Sequence, residues 1–385
     1  MDKYVFWLDN IRLSDREKIR LVEAFHSCEG VYYAKEKNLQ YILEEEKVKA
    51  LCNSKIQWDL EQKWEALQKD HIRMTMVHAP EYPLKLKQIP NPPFCLYFRG
   101  RLPEEELPAI AVIGARQCSE YGRYIAQELG KCMGENQIQV ISGMAAGIDG
   151  ISQSAAIQAG GTSFGVLGCG VDVCYPKSNR ELYEDLIRSG GILSSYPPGT
   201  QPLKQLFPPR NRIVSGLSDV LVVIEARQKS GTSITVEMAL EQGKDIYAVP
   251  GRVTDRLSDG CNKMLREGAY VFLSPEDFLK ELEQLLPEKM KRVEENKKKD
   301  WIRAVRDTKE EPGTEDICVK DGEKLLAVLD FYPQYIDVIA LRLEKEYGIK
   351  MPIMELNALL VQMSLWDEVK QEAPGWFSRN SGNGI

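Results

Sequence analysis

The chain has 385 residues, long for one ordinary domain and sized for two or three. With 43% hydrophobic and 28% charged residues it is globular, not disordered or fibrous. A formal net charge of −7 excludes nucleic-acid binding by bulk positive charge and, taken alone, favours a metabolic enzyme; a polyanion would have to be met by a local cluster of Lys and Arg.

The first residues, Met1 to Trp7, run at once into polar sequence, without the apolar core and cleavage site of a signal peptide. No apolar run approaches the ~20 residues that span a bilayer. Nine cysteines without a CxxC pair do not form a disulfide framework and fit a reducing compartment. The expected location is cytoplasmic, with no membrane contact.

Residues 1–105 read as a small helical N-terminal domain ending in a Pro-rich connection, Pro80 to Pro93. Residues 106–286 alternate short apolar runs with helical patterns. Strands are expected at Ala109–Ile113, Ile138–Ile141, Ser163–Leu167, Ile192–Ser194, Val220–Ile224 and Ile246–Val249. Ser119 is a helix N-cap. Ser178-Asn179-Arg180-Glu181 reads as a capping box, with Gly190-Gly191 ending that helix. Ser274-Pro275-Glu276-Asp277 opens another. Nearly continuous apolar strands alternating with helices predict an α/β fold: an extended Rossmann-like, doubly wound, mostly parallel sheet. Residues 287–320 are a charged linker, part helical and part disordered. Residues 321–379 regain amphipathic periodicity, with helices at Gly322–Phe331, Gln334–Tyr347 and Pro352–Met363. Trp366–Val369 and Trp376-Phe377 would be wing strands, giving a winged-helix-like C-terminal domain. Its third helix has no Arg or Lys, which argues for protein contact or packing over insertion into a DNA groove.

In such a sheet ligands bind beyond the carboxyl ends of the strands. The first strand leads into Gly114-Ala115-Arg116-Gln117, where glycine admits a close backbone approach and Arg116 is a forked phosphate donor. The same loop can equally be a tight turn with a surface arginine. Ser142 to Gly150 is a second small-residue turn with no cation. The third strand places Lys177 just before a helix N-cap, with Tyr175 nearby either to stack on a base or to pack. Phe207-Pro208-Pro209-Arg210-Asn211-Arg212, preceded by Lys204, is the densest donor cluster. Arg116, Lys177 and Arg212 are expected to converge on one phosphate path at one edge of the sheet.

Enzyme chemistry has little to work with. The three histidines, His26, His71 and His78, lie outside the central region, which therefore supplies no Ser-His-Asp triad or His-ligated zinc by itself. There is no GxxxxGK[ST] loop, and Gly165 to Gly170 is not a GxGxxG fingerprint. No cofactor, no metal and no catalytic residue are expected.

Read together, Gly114-Ala115-Arg116 with Ser119-x-Tyr121-Gly122, Ser142 to Asp149, Tyr175-Pro176-x-x-Asn179 and Phe207-Pro208-x-Arg210-Asn211-Arg212-Ile213 resemble the DprA/Smf family in order and spacing. So do Glu225-Ala226 with Ser230-Gly231-Thr232, and Val249-Pro250-Gly251 with Gly260-Cys261-Asn262. The resemblance spans about Ile110 to Leu273. It implies a non-catalytic homodimer that binds and protects single-stranded DNA and loads the RecA recombinase onto it in natural transformation and recombination. It carries the DNA site onto Gly114, Arg116, Gln117, Lys177, Lys204, Phe207, Arg210, Asn211 and Arg212. One departure is Ser152-Gln153, where the family usually shows Ala-His.

Two other classes stay open. A nucleotide phosphoribohydrolase of the lysine-decarboxylase-like class carries PGGxGTxxE, but here Glu237 follows Thr232 by five residues instead of three, about half a helical turn away. A protein adaptor with a structural Rossmann core would have no DNA affinity.

Overall fold

In the computed structural model, which describes residues 3–307, 324–330, 332–364 and 369–379, all six expected strands form, with ends shifted by a residue or so. In chain order the main sheet consists of β1 (Arg73–Met76), β2 (Cys95–Gly100), β3 (Ala109–Ile113), β4 (Gln139–Ser142), β5 (Ser163–Val166), β6 (Gly191–Ser194), β7 (Val220–Val223), β8 (Asp245–Ala248) and β9 (Tyr270–Val271). Their order across the sheet is β1-β2-β6-β5-β4-β3-β7-β8-β9. From β6 to β9 every pairing is parallel; β1–β2 and β2–β6 are antiparallel. Every residue of β3 to β7 is buried, as strands covered by helices on both faces must be. After β3 the chain steps outward through β4, β5 and β6, then returns to the other side of β3 for β7. The reversal between β3 and β7 is the topological switch point, where a doubly wound sheet opens a crevice.

The sequence reading missed β1 and β2. The first is a four-residue strand without clear alternation, and the second starts two residues after Pro93 of the Pro92-Pro93 pair, punctuation that argues against a strand. Both belong to the sheet, so the chain has no break at 105/106. One compact unit runs from Met1 to Val293, and a second from Glu294 to Ile385. The six helices between Lys3 and Lys69 bury Trp7, Leu8, Leu21, Val31 and Leu51 completely. They are fastened to β2 by a buried polar knot. Lys18 Nζ donates to Asp9 Oδ1 at 2.9 Å, and Tyr97 Oη on β2 donates to Asp9 Oδ2 at 2.7 Å.

Ser119 and Ser274 cap their helices as expected, each accepting from a backbone N–H three residues on. The capping box at Ser178 does not form. A short 3₁₀ turn, Lys177–Asn179, precedes the helix Arg180–Ser189, and Asn179 at its N-cap makes no side-chain cap bond. The Asn179 amide is spent elsewhere, as described below.

The first part of the expected linker is helical, Pro287–Asp307, with Met290 and Val293 buried. The rest, 308–320, lies outside the described residues. The second unit holds helices at 324–328, Ile336–Tyr347 and Ile353–Ser364 and a small antiparallel sheet of β10 (Gln334–Tyr335), β11 (Val369–Ala373) and β12 (Trp376–Arg379), in the order β10-β12-β11. Two residues expected to be helical, Gln334 and Tyr335, are strand instead. Of the expected wing strand Trp366–Val369, residues 366–368 lie outside the described residues. Ile339, Leu356, Leu360 and Phe377 are fully buried and centre this unit's own core. Among the described residues no helix is long and apolar enough to cross a membrane.

Candidate functional site

The loops after β3, β4 and β7, with the segment Lys204 to Val214, enclose a cleft of about 700 Å³ at the switch point. Arg116, Lys204, Arg210 and Arg227 line it, with Asp149 the single carboxylate among the described lining residues. A chain of net charge −7 thus carries a local positive excess where an open α/β sheet binds its ligand.

Phe207 is the centre of the site. Its ring lies 5.6 Å from that of Tyr175, and the Arg116 and Arg210 guanidinium carbons each stand 5.7 Å from its centroid, within cation–π range. Gly168 makes the placement possible, because a Cβ there would fall 2.8 Å from the Phe207 ring. Arg116 and Gln117 are exposed at the end of β3, beside Gly114, whose backbone lines the cleft. Lys204 is likewise exposed, and Asn211 sits in the wall accepting from Arg210 Nε at 3.2 Å.

Arg210 is a different kind of residue. Only 5% exposed, it donates from Nη1 to Gly143 O at 2.9 Å and to Val166 O. Burial lowers its pKa from the ordinary guanidinium value, and the Asp149 carboxylate opposes that shift. Burial likewise raises the pKa of Asp149, against Arg210 and the Gly143 N–H that donates to Asp149 Oδ2 at 3.2 Å. The two form the floor of the cleft and fix the β4 loop.

The expected convergence of Arg116, Lys177 and Arg212 is not observed. Lys177 is exposed in its 3₁₀ turn, two residues beyond Tyr175, and is not part of the lining. Arg212 points to the N-terminal helices, where Nη2 pairs with Asp15 Oδ2 at 2.9 Å. Sequence reasoning missed Arg227. It follows Glu225-Ala226 beyond β7, and applying the strand-end rule to β7 as well as β3 would have found it. The helix Gly231–Glu241 also begins in the cleft, where its first N–H groups lack intrahelical partners and the buried Ser230 Oγ has no partner among the described residues. Glu237, the carboxylate required by the phosphoribohydrolase alternative, is exposed on that helix and outside the lining.

Several motif residues hold loops to one another. Asn179 Nδ2 donates to the carbonyls of Met144 and Ala145 at 3.1 and 3.2 Å. Glu225 accepts from the Ser119 N–H at 3.0 Å and from its hydroxyl. Asn262 and Gly251 exchange two hydrogen bonds of 3.0 and 3.2 Å. Gly147 adopts φ +78°, where a Cβ would fall 2.3 Å from Ala115 O. Among the described residues no group of three or more His, Cys, Asp or Glu is placed to hold a metal ion.

A family model described as DNA recombination-mediator protein A matches residues 73–283. The chain belongs to this family. The match begins at β1, so the family's unit takes in the two antiparallel strands as well as the parallel core. DNA processing protein DprA of Streptococcus pneumoniae is 42% identical over 202 residues, covering 52% of this chain and 71% of that one. The X-ray structure of the S. pneumoniae protein superposes with a TM-score of 0.65 at 32% identity, over 73% of this chain and 98% of that one. A structure of DNA processing protein A from Helicobacter pylori, described for its single-stranded DNA binding mode, matches with a TM-score of 0.50 at 28% identity, over 56% of this chain and 97% of that one. At the departure from the family pattern, Gln153 is fully buried and spends both ends of its amide. It accepts from the Met144 N–H at 3.1 Å and donates to Phe164 O at 3.0 Å, so its place here is structural.

Proposed function

We propose that this chain binds single-stranded DNA in the switch-point cleft and loads the RecA recombinase onto it, protecting the strand without cleaving it. The observation that carries the reading is Phe207 set among Arg116, Arg210 and Tyr175 at the end of the parallel sheet. An aromatic face offers stacking to any base, and forked cations beside it offer phosphate contacts, the combination used for sequence-tolerant binding of single strands. Arg116, Lys204 and Arg227 would meet phosphates directly. Gly114 and Gln117 would contribute backbone and amide contacts, and Asn211 a wall contact. Lys177 would act from outside the cleft. Arg210 would hold the floor, and Arg212 would steady the helix that carries Phe207. The H. pylori relative and membership in a recombination-mediator family support the assignment.

The reading extends to a cytoplasmic protein that needs no nucleotide or metal, works as a homodimer, and ends in a winged-helix-like module. The test is a titration of the purified protein with fluorescent single- and double-stranded oligonucleotides across salt concentrations. Single strands should bind well and duplex poorly, with a log–log salt slope of about −0.7 per phosphate neutralised. Equal affinity for both forms would reject the proposal. Release of free base from nucleoside monophosphates would instead favour the phosphoribohydrolase alternative.

A further inference from the structure

Beside the central cleft, on the same edge of the sheet, lies a second groove of about 730 Å³. Its walls are the first turn of the helix Glu120–Glu135 and the loop after β8, with Tyr121, Gly251, Arg252 and Ser258 among the lining residues. Two pairs of near neighbours in sequence separate the spaces. Gln117 lines the cleft and Ser119 the groove, as do Leu257 and Ser258 respectively. The ridge is pinned by Ala226, whose N–H donates to Leu257 O at 2.8 Å. Arg227, the next residue, is exposed and lines the cleft at this boundary.

Tyr121 is 46% exposed, and its hydroxyl donates to Pro250 O at 3.1 Å, which holds the ring across the groove. Tyr124, three residues on and so on the same helix face, is 58% exposed. Two half-exposed rings on one helix face form a platform that is open among the described residues. Both carboxylates of the lining are engaged: Glu120 approaches Arg123 at 3.6 Å, and Asp255 Oδ1 accepts the Leu257 N–H at 3.0 Å. Arg252 is exposed and has no ion pair among the described residues.

We propose that this groove is a second base-stacking subsite, one ridge away from the central cleft, in which Tyr121 takes a base, Tyr124 on the same helix face extends the platform beyond the groove, and Arg252 takes a flanking phosphate of the same single strand. The groove's near-neutral lining suits an uncharged base in its depth, and Arg227 and Arg252 mark where the backbone crosses the ridge. The inference rests on the reading of the central cleft as the primary single-strand site.

The experiment measures how much affinity the full chain gains when oligodeoxythymidylate is lengthened from about 4 to about 12 nucleotides, a span within the site sizes of single-strand binders. The wild type should gain substantially. Tyr121→Ala and Arg252→Ala should each reduce that gain roughly 5- to 100-fold, the effect of losing one stacking or charged contact. Tyr121→Phe keeps the ring and should keep the gain. Arg116→Ala should weaken both lengths and leave the gain in place. Should Tyr121→Ala lower the melting temperature, Arg252→Ala, on an exposed loop, decides alone. A gain that survives both alanine variants while Arg116→Ala weakens both lengths overturns the subsite and leaves the central cleft standing. A wild type that gains nothing on lengthening also overturns it. Undiminished binding in Arg116→Ala overturns the central reading instead.

Discussion

Arg116, Arg210 and Arg212 carry the same side chain and have three different fates, which residue type alone cannot reveal. Positions 210 and 212 are two apart on a helix and so point about 200° away from each other, which forbids both from facing one cleft. That much was available from the sequence once the helix was placed; which of the two would turn inward was not, because it depends on Asp15, about two hundred residues away in the chain. Arg116→Ala should weaken single-strand binding by roughly 1–3 kcal/mol, the scale of a charge-assisted hydrogen bond, without lowering the melting temperature. It should also make the salt slope shallower, because fewer counterions are released. Arg210→Ala should behave in the opposite sense. Its removal leaves Asp149 and two backbone carbonyls without their buried partner, a loss on the order of 3–5 kcal/mol in stability. Thermal melts and DNA titrations on the two variants separate the roles; matching effects on both readouts would mean that floor and contact residues have been confused. Phe207→Ala provides an internal contrast at the same site. Loss of a stacking face weakens binding while leaving the salt slope nearly unchanged.

Among the elements, those with strong local signals were legible and those defined by distant pairing were not. Strands β3 to β8 each carry a short apolar run flanked by turns, and the full burial of β3 to β7 follows from the parallel topology. β2 carries Cys95-Leu96-Tyr97-Phe98, apolar enough to be a strand, yet it is its pairing with β1 and β6 and the knot on Asp9 that make it one. Ser178 failed as a cap because the neighbouring Asn179 is recruited by the β4 loop, a tertiary demand that overrides local preference. Ser14, by contrast, forms a complete capping box with Glu17, which Lys47 also contacts at 2.7 Å. The Lys47 hydrogen bond, followed by the Ser14 backbone bond, lowers the Glu17 pKa to about 2. A carboxylate depressed in the folded state stabilises fully above its unfolded pKa and loses that contribution as pH falls through the folded value. The wild type should therefore be more stable than Glu17→Gln at pH 5, with the difference shrinking from about pH 4.5 towards pH 2. Melting curves of the two proteins across that range check it, and a pH-independent difference would remove the carboxylate from the account.

At the scale of the whole molecule, net charge misleads because the charge is unevenly placed, and the two ends of the main sheet differ in the same informative way. β1 is one edge, but its central residues Met74 and Thr75 are buried, so neighbouring structure already covers it. β9 is the other edge and is exposed among the described residues. Tyr270 is 51% exposed, Val271 46% and the following Leu273 70%, while Tyr270 stacks on Tyr247 of β8 at 5.1 Å, which holds the edge in strand geometry. An apolar edge strand with open backbone groups is a template for pairing with another chain, and natural proteins usually blunt such edges with charge. The proposed homodimer therefore has its best seat at β9, on the side of the sheet away from β1. Placing a lysine there should dissolve the dimer without disturbing the cleft between β3 and β7. Val271→Lys is expected to sediment as a monomer at concentrations where the wild type sediments as a dimer, and to bind a short single strand as the wild type does. Its affinity for long strands should fall further than for short ones, because two linked sites gain from effective concentration and a lone site does not. A wild type that stays monomeric at all concentrations would remove the dimer from the proposal; a variant that remains dimeric would move the interface away from β9.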